Sequence, residues 1–269
     1  MITTEFLLYI AAGAFAGLLS GVFGVGGGIV LVPILSFLFM GLHFPETHLM
    51  HMVLGTSLAT IILTSISSAR AHRLKNNVNS TLVIKMAPSV IVGTLLGTLL
   101  ASQLHSVWLK IVIAAFELCI ATQLMLNLNP SPYRSLPGSI VLGLVGGLIG
   151  VASSLIGIGG GTLIVPYLIY CNLDPRQTIG TSAAIGLPIA VTGTLGYIFT
   201  GLTTQFVHPL PQPSLGFVYL PAFIGIAIAS VLTAPVGAAL AQRLPILVLK
   251  RLFALLLYIV SIKMIWGAL

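Results

Sequence analysis

Two glycine clusters with the same pattern, GxGGGxxxxP, are the part of this sequence best suited to chemistry. The first runs from Gly24 to Pro33, and the second runs from Gly157 to Pro166. Three successive glycines cost roughly 1 kcal/mol each relative to alanine in a helix interior, so we expect a helix to break at each cluster. A break leaves N–H groups at the positive end of the next helix, where glycine lets an anion approach the backbone. The predicted anion-binding glycines are Gly24, Gly26, Gly27, Gly28, Gly157, Gly159, Gly160 and Gly161.

A second duplicated motif, Gly-Thr-Ser, follows each cluster. It supplies Thr56 and Ser57 in the first half and Thr181 and Ser182 in the second. These hydroxyls could bind the same ligand beside the glycine N–H groups, or they could cap a helix or bond to their own helix backbone. The sequence leaves both interpretations open. It also leaves open whether the glycines bind a ligand or only allow helices to pack closely, which is how we interpret Gly13, Gly17, Gly93 and Gly97.

Glu117 is the only acidic residue in the middle of an apolar stretch. An ionised side chain at the centre of a membrane helix costs at least about 2.5–3.5 kcal/mol, so we expect Glu117 to be protonated or paired. It is our candidate for a proton-carrying, coupling group, and the alternatives are a pair with Arg or Lys or a protonated acid bonded to a neighbouring carbonyl. His43, His48 and His51 with Glu46 are interpreted as a solvated or interfacial loop. We therefore predict no metal site.

Other classes of site find little support in the sequence. Cys119 and Cys171 have no CxxC or histidine spacing, which argues against a disulfide framework or a zinc site. The glycine clusters lack the third glycine of a dinucleotide fingerprint and the Gly-Lys-Ser/Thr of a phosphate loop. No nucleophile has a base at useful spacing. We therefore expect neither an enzyme nor a bound cofactor.

The composition predicts a membrane protein. Hydrophobic residues make up 57% of the 269 residues and charged residues only 6%, and the mean hydropathy is +1.14. A soluble chain carries about 25% charged residues. The net charge of +7 is spread between apolar segments, so it indicates membrane orientation and not nucleic-acid binding. Breaks in hydropathy give ten segments: 5–23, 27–41, 50–70, 81–102, 107–126, 138–156, 159–171, 179–200, 216–240 and 246–267.

The duplicated motifs predict an internal repeat, with one repeat at residues 1–128, a linker at 129–137 and a second repeat at 138–269. Cytoplasmic loops carry an excess of Lys and Arg. Arg70, Arg73 and Lys75 follow the third segment, while the corresponding loop at 201–214 has no basic residue. The bias reverses in the next pair of loops, because 103–110 holds one basic residue and 243–251 holds three. Equivalent loops should therefore lie on opposite sides of the membrane, as in an inverted repeat.

The two GxGGGxxxxP motifs, each followed by Gly-Thr-Ser, resemble those of the TauE/SafE family of sulfite exporters. The resemblance covers nearly the whole chain, but Ser153-Ser154 stands where the first half has Ser20-Gly21. It implies a carrier of sulfite or small organosulfur anions, such as sulfonates or sulfoacetate, in the bacterial cytoplasmic membrane, usually working outward. Proton coupling and a homo-oligomer are left open by the sequence.

The sequence thus predicts an all-α integral membrane protein with about 8–10 transmembrane or re-entrant helices in two inverted repeats, broken at the GxGGGxxxxP motifs. Its partners would be the lipid bilayer and a small anion moved by alternating access. A passive anion channel, in which flux would not saturate, is one alternative. A membrane scaffold without transport, which no substrate would stabilise against heat, is the other.

Overall fold

The computed structural model of the chain describes residues 2–23, 28–128, 135–205, 209–241 and 246–267. Ten helices account for nearly all of this structure, in agreement with the ten predicted segments. The helices are α1 (Ile2–Phe23), α2 (Gly28–Gly41), α3 (Leu49–Leu74), α4 (Ser80–Gln103), α5 (Ser106–Met125), α6 (Ser139–Ile156), α7 (Gly161–Tyr170), α8 (Pro175–Gln205), α9 (Leu220–Ala241) and α10 (Ile246–Trp266).

Two short strands precede α9 and were not predicted. Ser214–Leu215 (β1) pairs antiparallel with Val218–Tyr219 (β2). The turn between them contains Gly216 at φ +55°, a left-handed conformation that glycine adopts without steric cost. The hydropathy of this stretch continues smoothly into α9. The predicted segment that starts at residue 216 therefore combined part of the hairpin with the helix.

The long helices α3 and α8 pack against each other in antiparallel directions. Gly55, near the start of α3, lies against Tyr197 in the second half of α8, whereas His72, near the end of α3, lies against Gly180 near the start of α8. Helices α5 and α10 are antiparallel too, because Thr122 contacts Tyr258 while Glu117, five residues earlier, contacts Ser261. Each of these pairs joins equivalent helices of the two halves. Antiparallel equivalents are what an inverted repeat requires.

The remaining large interfaces also come in equivalent pairs. Helix α1 packs on α9 as α6 packs on α4. A Cβ added to Gly13 would lie 2.6 Å from the Cα of Ile226 in α9, and Gly93 in α4 directly contacts Gly147 in α6. Small residues thus let both pairs of helices touch through their backbones, which confirms the packing interpretation of these glycines.

Five helices, α3, α4, α5, α6 and α8, are long and apolar enough to cross a membrane. Large apolar side chains such as Ile140, which is 82% exposed, and Leu148, 71% exposed, cover the outer surface. In water such a surface would be unfavourable, whereas lipid solvates it. The chain is therefore an all-α, multi-pass membrane protein. Helix α7, with 10 residues, spans only about 15 Å, half of a bilayer core.

Candidate functional site

The second glycine cluster breaks the chain between α6 and α7. Helix α6 ends at Ile156, and Gly157 adopts a left-handed conformation with φ +75°. The N–H groups of Gly157 and Ile158 both donate to the carbonyl oxygen of Ser153, at 2.9 and 3.0 Å. Gly160 is again left-handed, with φ +74°, and precedes the first residue of α7. Two left-handed glycines, positions that L side chains rarely adopt, therefore produce the predicted break.

The first turn of α7 has free backbone donors. The carbonyl oxygen of Gly160 accepts from the N–H groups of Leu163 and Ile164, at 3.0 and 2.8 Å. For the preceding N–H groups, those of Gly161 and Thr162, no acceptor is found within the described part of the chain. These donors lie at the positive end of the helix dipole. An anion is the ligand that this helix end favours.

Two buried hydroxyls at the same break have no partner among the described residues. They are Ser153 Oγ, on the last turn of α6, and Thr162 Oγ1, in the first turn of α7. Ser153 is fully buried, and its Oγ lies 3.5 Å from the position that a Cβ on Gly160 would take. A buried hydroxyl without a partner is costly and needs an explanation. A ligand that accepts hydrogen bonds at this break would provide one.

Residues of the first half reach this break. The first residue of α2, Gly28, packs so closely that a Cβ there would lie 2.9 Å from the carbonyl oxygen of Gly157. Ser57 Oγ of α3 donates a hydrogen bond to that same oxygen at 2.9 Å. Thus Gly28 and Ser57 of the first half contact the second cluster. Gly24, Gly26 and Gly27 lie outside the described residues.

Apolar side chains also pack closely against the glycines of the break. A Cβ on Gly160 would lie 2.5 Å from Ile189 Cδ1, one on Gly157 would lie 2.6 Å from Leu54 Cδ2, and one on Gly159 would lie 2.8 Å from Ile61 Cγ2. These apolar side chains separate the break from water. Packing and ligand binding are therefore compatible explanations of the glycines, since close packing and unpaired backbone N–H groups occur in the same segment.

The two threonines of the Gly-Thr-Ser motifs each hold the start of another helix. Thr56 Oγ1 accepts a hydrogen bond from the N–H of Tyr219, immediately before α9, at 3.0 Å. Thr181 Oγ1 accepts one from the N–H of Asn79, immediately before α4, at 2.9 Å. Because α3 and α8 are antiparallel, these sites lie at opposite ends of the pair, about 25 Å apart at 1.5 Å per residue. The structure does not bring the two motifs into one cluster.

Ser57 is therefore the hydroxyl of the two motifs that the described contacts join to the break. Ser182 is buried in α8 but lies, with Thr181, at the end of the helix pair that is far from Thr56. Binding of substrate by these four residues stays a prediction.

Comparison with known proteins identifies the family of this chain. Residues 9–264 match the family model described as sulfite exporter TauE/SafE. This chain belongs to that family. A probable membrane transporter protein of Haemophilus influenzae is 37% identical over 263 residues, which cover 97% of this chain and 98% of the relative. The probable membrane transporter protein YdhB of Bacillus subtilis is 27% identical, with 87% and 89% covered. No solved structure matches the chain significantly.

In this TauE/SafE family member, Glu117 is buried between α5 and α10. Its Oε2 lies 3.2 Å from Ser261 Oγ, and Ser261 Oγ is also 2.6 Å from the carbonyl oxygen of Leu257. A serine hydroxyl has one hydrogen. Ser261 Oγ is the donor in both contacts, so its single hydrogen is shared and the contact with Glu117 is the longer one. A buried acid at membrane depth with so weak a donor is favoured in its neutral form.

His43 and Glu46 are exposed in the loop before α3, as expected for a solvated loop, but His51 is not. His51 lies within α3, is only 3% exposed, and its Nε2 is 2.9 Å from the carbonyl oxygen of Ala101 at the end of α4. The apolar α3 begins two residues earlier, which draws this side chain into the interior. Within the described residues, no group of three or more His, Cys, Asp or Glu side chains could hold a metal ion.

Sequence reasoning did not include Ser153 and Thr162 among the site residues. Both have a signal in the sequence. Ser153, with Ser154, forms a polar pair one turn before Gly157 near the end of a mostly apolar helix, and Thr162 directly follows the third glycine of the cluster, where the first half has Ile29. Polar residues beside a helix break are thus the signal that could have indicated them.

Proposed function

We propose that this chain transports small anions across the bacterial cytoplasmic membrane, as an exporter that works by alternating access. The substrates would be sulfite or small organosulfur anions such as sulfonates or sulfoacetate, as the family description suggests. The substrate would bind at the break between α6 and α7. Residues 1–128 and 138–269 would be the two repeats that move around it, joined by the linker 129–137.

One observation carries this proposal. The break presents four hydrogen-bond donors without described acceptors, namely the N–H groups of Gly161 and Thr162 and the hydroxyls of Ser153 and Thr162. None of the residues that form the break is acidic. Buried donors with no fixed negative charge nearby form a site for an anion, and each donor gains most when its acceptor is charged.

The experiment uses Ser153→Ala with Ser154→Ala as its matched control. Ser154 is the next residue of α6 and equally buried, but its Oγ donates to the carbonyl oxygen of Val151 in its own helix. Purified wild type and both variants would be titrated with sulfite, sulfate, thiosulfate and small sulfonates, and ligand affinity would be compared with melting temperature.

We expect Ser153→Ala to melt at or slightly above the wild-type temperature, because it removes an unpaired buried hydroxyl. Its affinity for the anion should fall about tenfold to a hundredfold, since a hydrogen bond to a charged group contributes about 1.5–3 kcal/mol. Ser154→Ala should bind normally. Equal affinity in wild type and Ser153→Ala, for an anion that wild type binds, would remove the site from this break.

The same preparation tests the two alternative functions. Reconstituted into vesicles, a carrier gives an anion flux that saturates with concentration, whereas a passive channel does not. A scaffold would be stabilised by none of the anions.

A further inference from the structure

A long groove runs between α3 and α9 on the outer surface of the helix bundle. Its volume is about 810 Å³, and apolar side chains from both helices line it, among them Leu63, Ile66, Phe223 and Ile228. Arg70 and Leu74 lie at the end towards the C-terminus of α3. The groove is thus apolar along its length, with a guanidinium group towards one end.

The groove lies where the two halves pack differently. The interface equivalent to α3/α9 is α8/α4, which is more extensive. There, Gly193 and Gly196 of α8 pack on Thr94 and Thr98 of α4. The offset of 125 residues that relates Gly55 to Gly180 places Ser68 and Ala71 at the corresponding positions of α3. Their larger side chains keep α9 further from α3, and Ala71 itself lines the groove.

The dimensions of the groove match one leaflet of a bilayer. From Leu63 to Leu74 the chain rises 11 residues along α3, or about 16 Å at 1.5 Å per residue. The hydrocarbon core of a bilayer is about 30 Å thick, so one acyl chain occupies about 15 Å. The apolar groove therefore has the length of an acyl chain that starts at the membrane surface and ends near the midplane.

The charge at the open end selects the headgroup. Arg70, Arg73 and Lys75 are exposed near the end of α3. No acidic residue occurs in the sequence between Glu46 and Glu117, so nothing in this segment neutralises them. Clusters of basic side chains beside a membrane helix attract lipids with a net negative charge.

We propose that the α3/α9 groove binds an anionic phospholipid, with one acyl chain between the two helices and the headgroup phosphate on Arg70. The site is separate from the break between α6 and α7. Occupancy of the groove would rise with the content of anionic lipid in the surrounding leaflet.

The test measures binding of phosphatidylglycerol and phosphatidylethanolamine with identical acyl chains to the full protein in detergent micelles, by native mass spectrometry. Arg70→Gln is compared with Arg73→Gln, which removes the same charge from a residue that does not line the groove. Ala71→Phe fills the groove and keeps every charge. Inorganic phosphate at millimolar concentration is the competitor.

We expect the wild type to prefer phosphatidylglycerol, and Arg70→Gln to lower that preference about fivefold. Arg73→Gln should change it less than about twofold. Ala71→Phe should weaken binding of phosphatidylglycerol, and inorganic phosphate should not displace it. An equal loss in the two arginine variants would reduce the effect to general surface charge. Unchanged binding in Ala71→Phe, or displacement by phosphate, would overturn the proposal because neither is compatible with an acyl chain in the groove.

Discussion

The two halves of this protein use the same devices to hold the bundle together. Thr56 holds the start of α9 and Thr181 holds the start of α4, each through one hydrogen bond from its hydroxyl oxygen to a backbone N–H. Helix α1 contacts α9 as α6 contacts α4. The threonines of the duplicated Gly-Thr-Ser motif thus have the same structural role in each half.

Three candidates for function lie where the halves differ. Thr162 in the second cluster corresponds to Ile29 in the first, and Arg70 in α3 corresponds to Leu195 in α8. Glu117 corresponds to Leu257, by the offset of 140 residues that also relates Asn79 to Tyr219. Ser153, in contrast, corresponds to Ser20 of the first half. The difference teaches that the candidate site combines a serine that both halves share with polar side chains that one half lacks.

The largest expected effect is an all-or-none difference in the side of the membrane from which equivalent loops of the two halves can be labelled. If the halves are inverted, Asn76, after α3, should face the cytoplasm, and Gln205, at the end of α8, should face the outside. Single cysteines at these positions, in a chain without Cys119 and Cys171, should react with an impermeant thiol reagent from opposite sides of oriented membranes. Labelling of both cysteines from one side would contradict the inverted arrangement.

Much of the fold could be predicted from the sequence because lipid imposes a simple rule on it. Apolar runs long enough to cross a bilayer are easily recognised, and glycine or proline marks their interruptions, so the predicted segment 138–156 differs from α6 by one residue at its start. The prediction was poorer at α3, which continues from residue 70 to Leu74. There the helix projects beyond the apolar run, and its polar residues Arg70 and Arg73 look like a loop in a hydropathy profile.

The candidate site was harder to predict than the fold. The glycine cluster indicated the broken helix, and the structure places Gly28 and Ser57 in contact with it. The repeat could not show that Thr56 and Thr181 lie far apart, because this depends on where α3 and α8 cross. Nor does the pattern of residue types in the sequence show that Ser153 Oγ lacks a hydrogen-bond partner among the described residues while Ser154 Oγ has one. That difference arises from the geometry of a single helix turn.

The next effect is on stability, and it sharpens the comparison between the halves. Thr56→Val and Thr181→Val each remove the acceptor of a backbone N–H, which costs about 1–3 kcal/mol when the group is buried. We expect the larger loss for Thr56→Val, because its bond to Tyr219 is buried and that of Thr181 to Asn79 is only partly buried. The measurement is the free energy of unfolding in detergent.

Thr56→Ser and Thr181→Ser serve as controls, since they retain the hydroxyl and should recover most of the loss. A large loss in one half with none in the other would show that the two hydrogen bonds are not equivalent. A fall in anion affinity in either valine variant, without a fall in stability, would return that threonine to the substrate site.

The smallest effect on stability is expected at Glu117. Variants of this residue distinguish a purely structural role from a role in proton coupling. If Glu117 is protonated, the amide oxygen of Glu117→Gln can accept from Ser261 Oγ in the same way, so stability should change by less than about 1 kcal/mol. Glu117→Leu, which copies the equivalent Leu257, should also fold, because Ser261 keeps its bond to the backbone. Transport by vesicles should then lose its dependence on the proton gradient in both variants, since neither side chain can exchange a proton.

If both variants fold and keep the wild-type response to the proton gradient, Glu117 only joins α5 to α10. A large loss of stability in Glu117→Gln would instead indicate that the carboxylate is ionised and paired, because an amide cannot replace its charge.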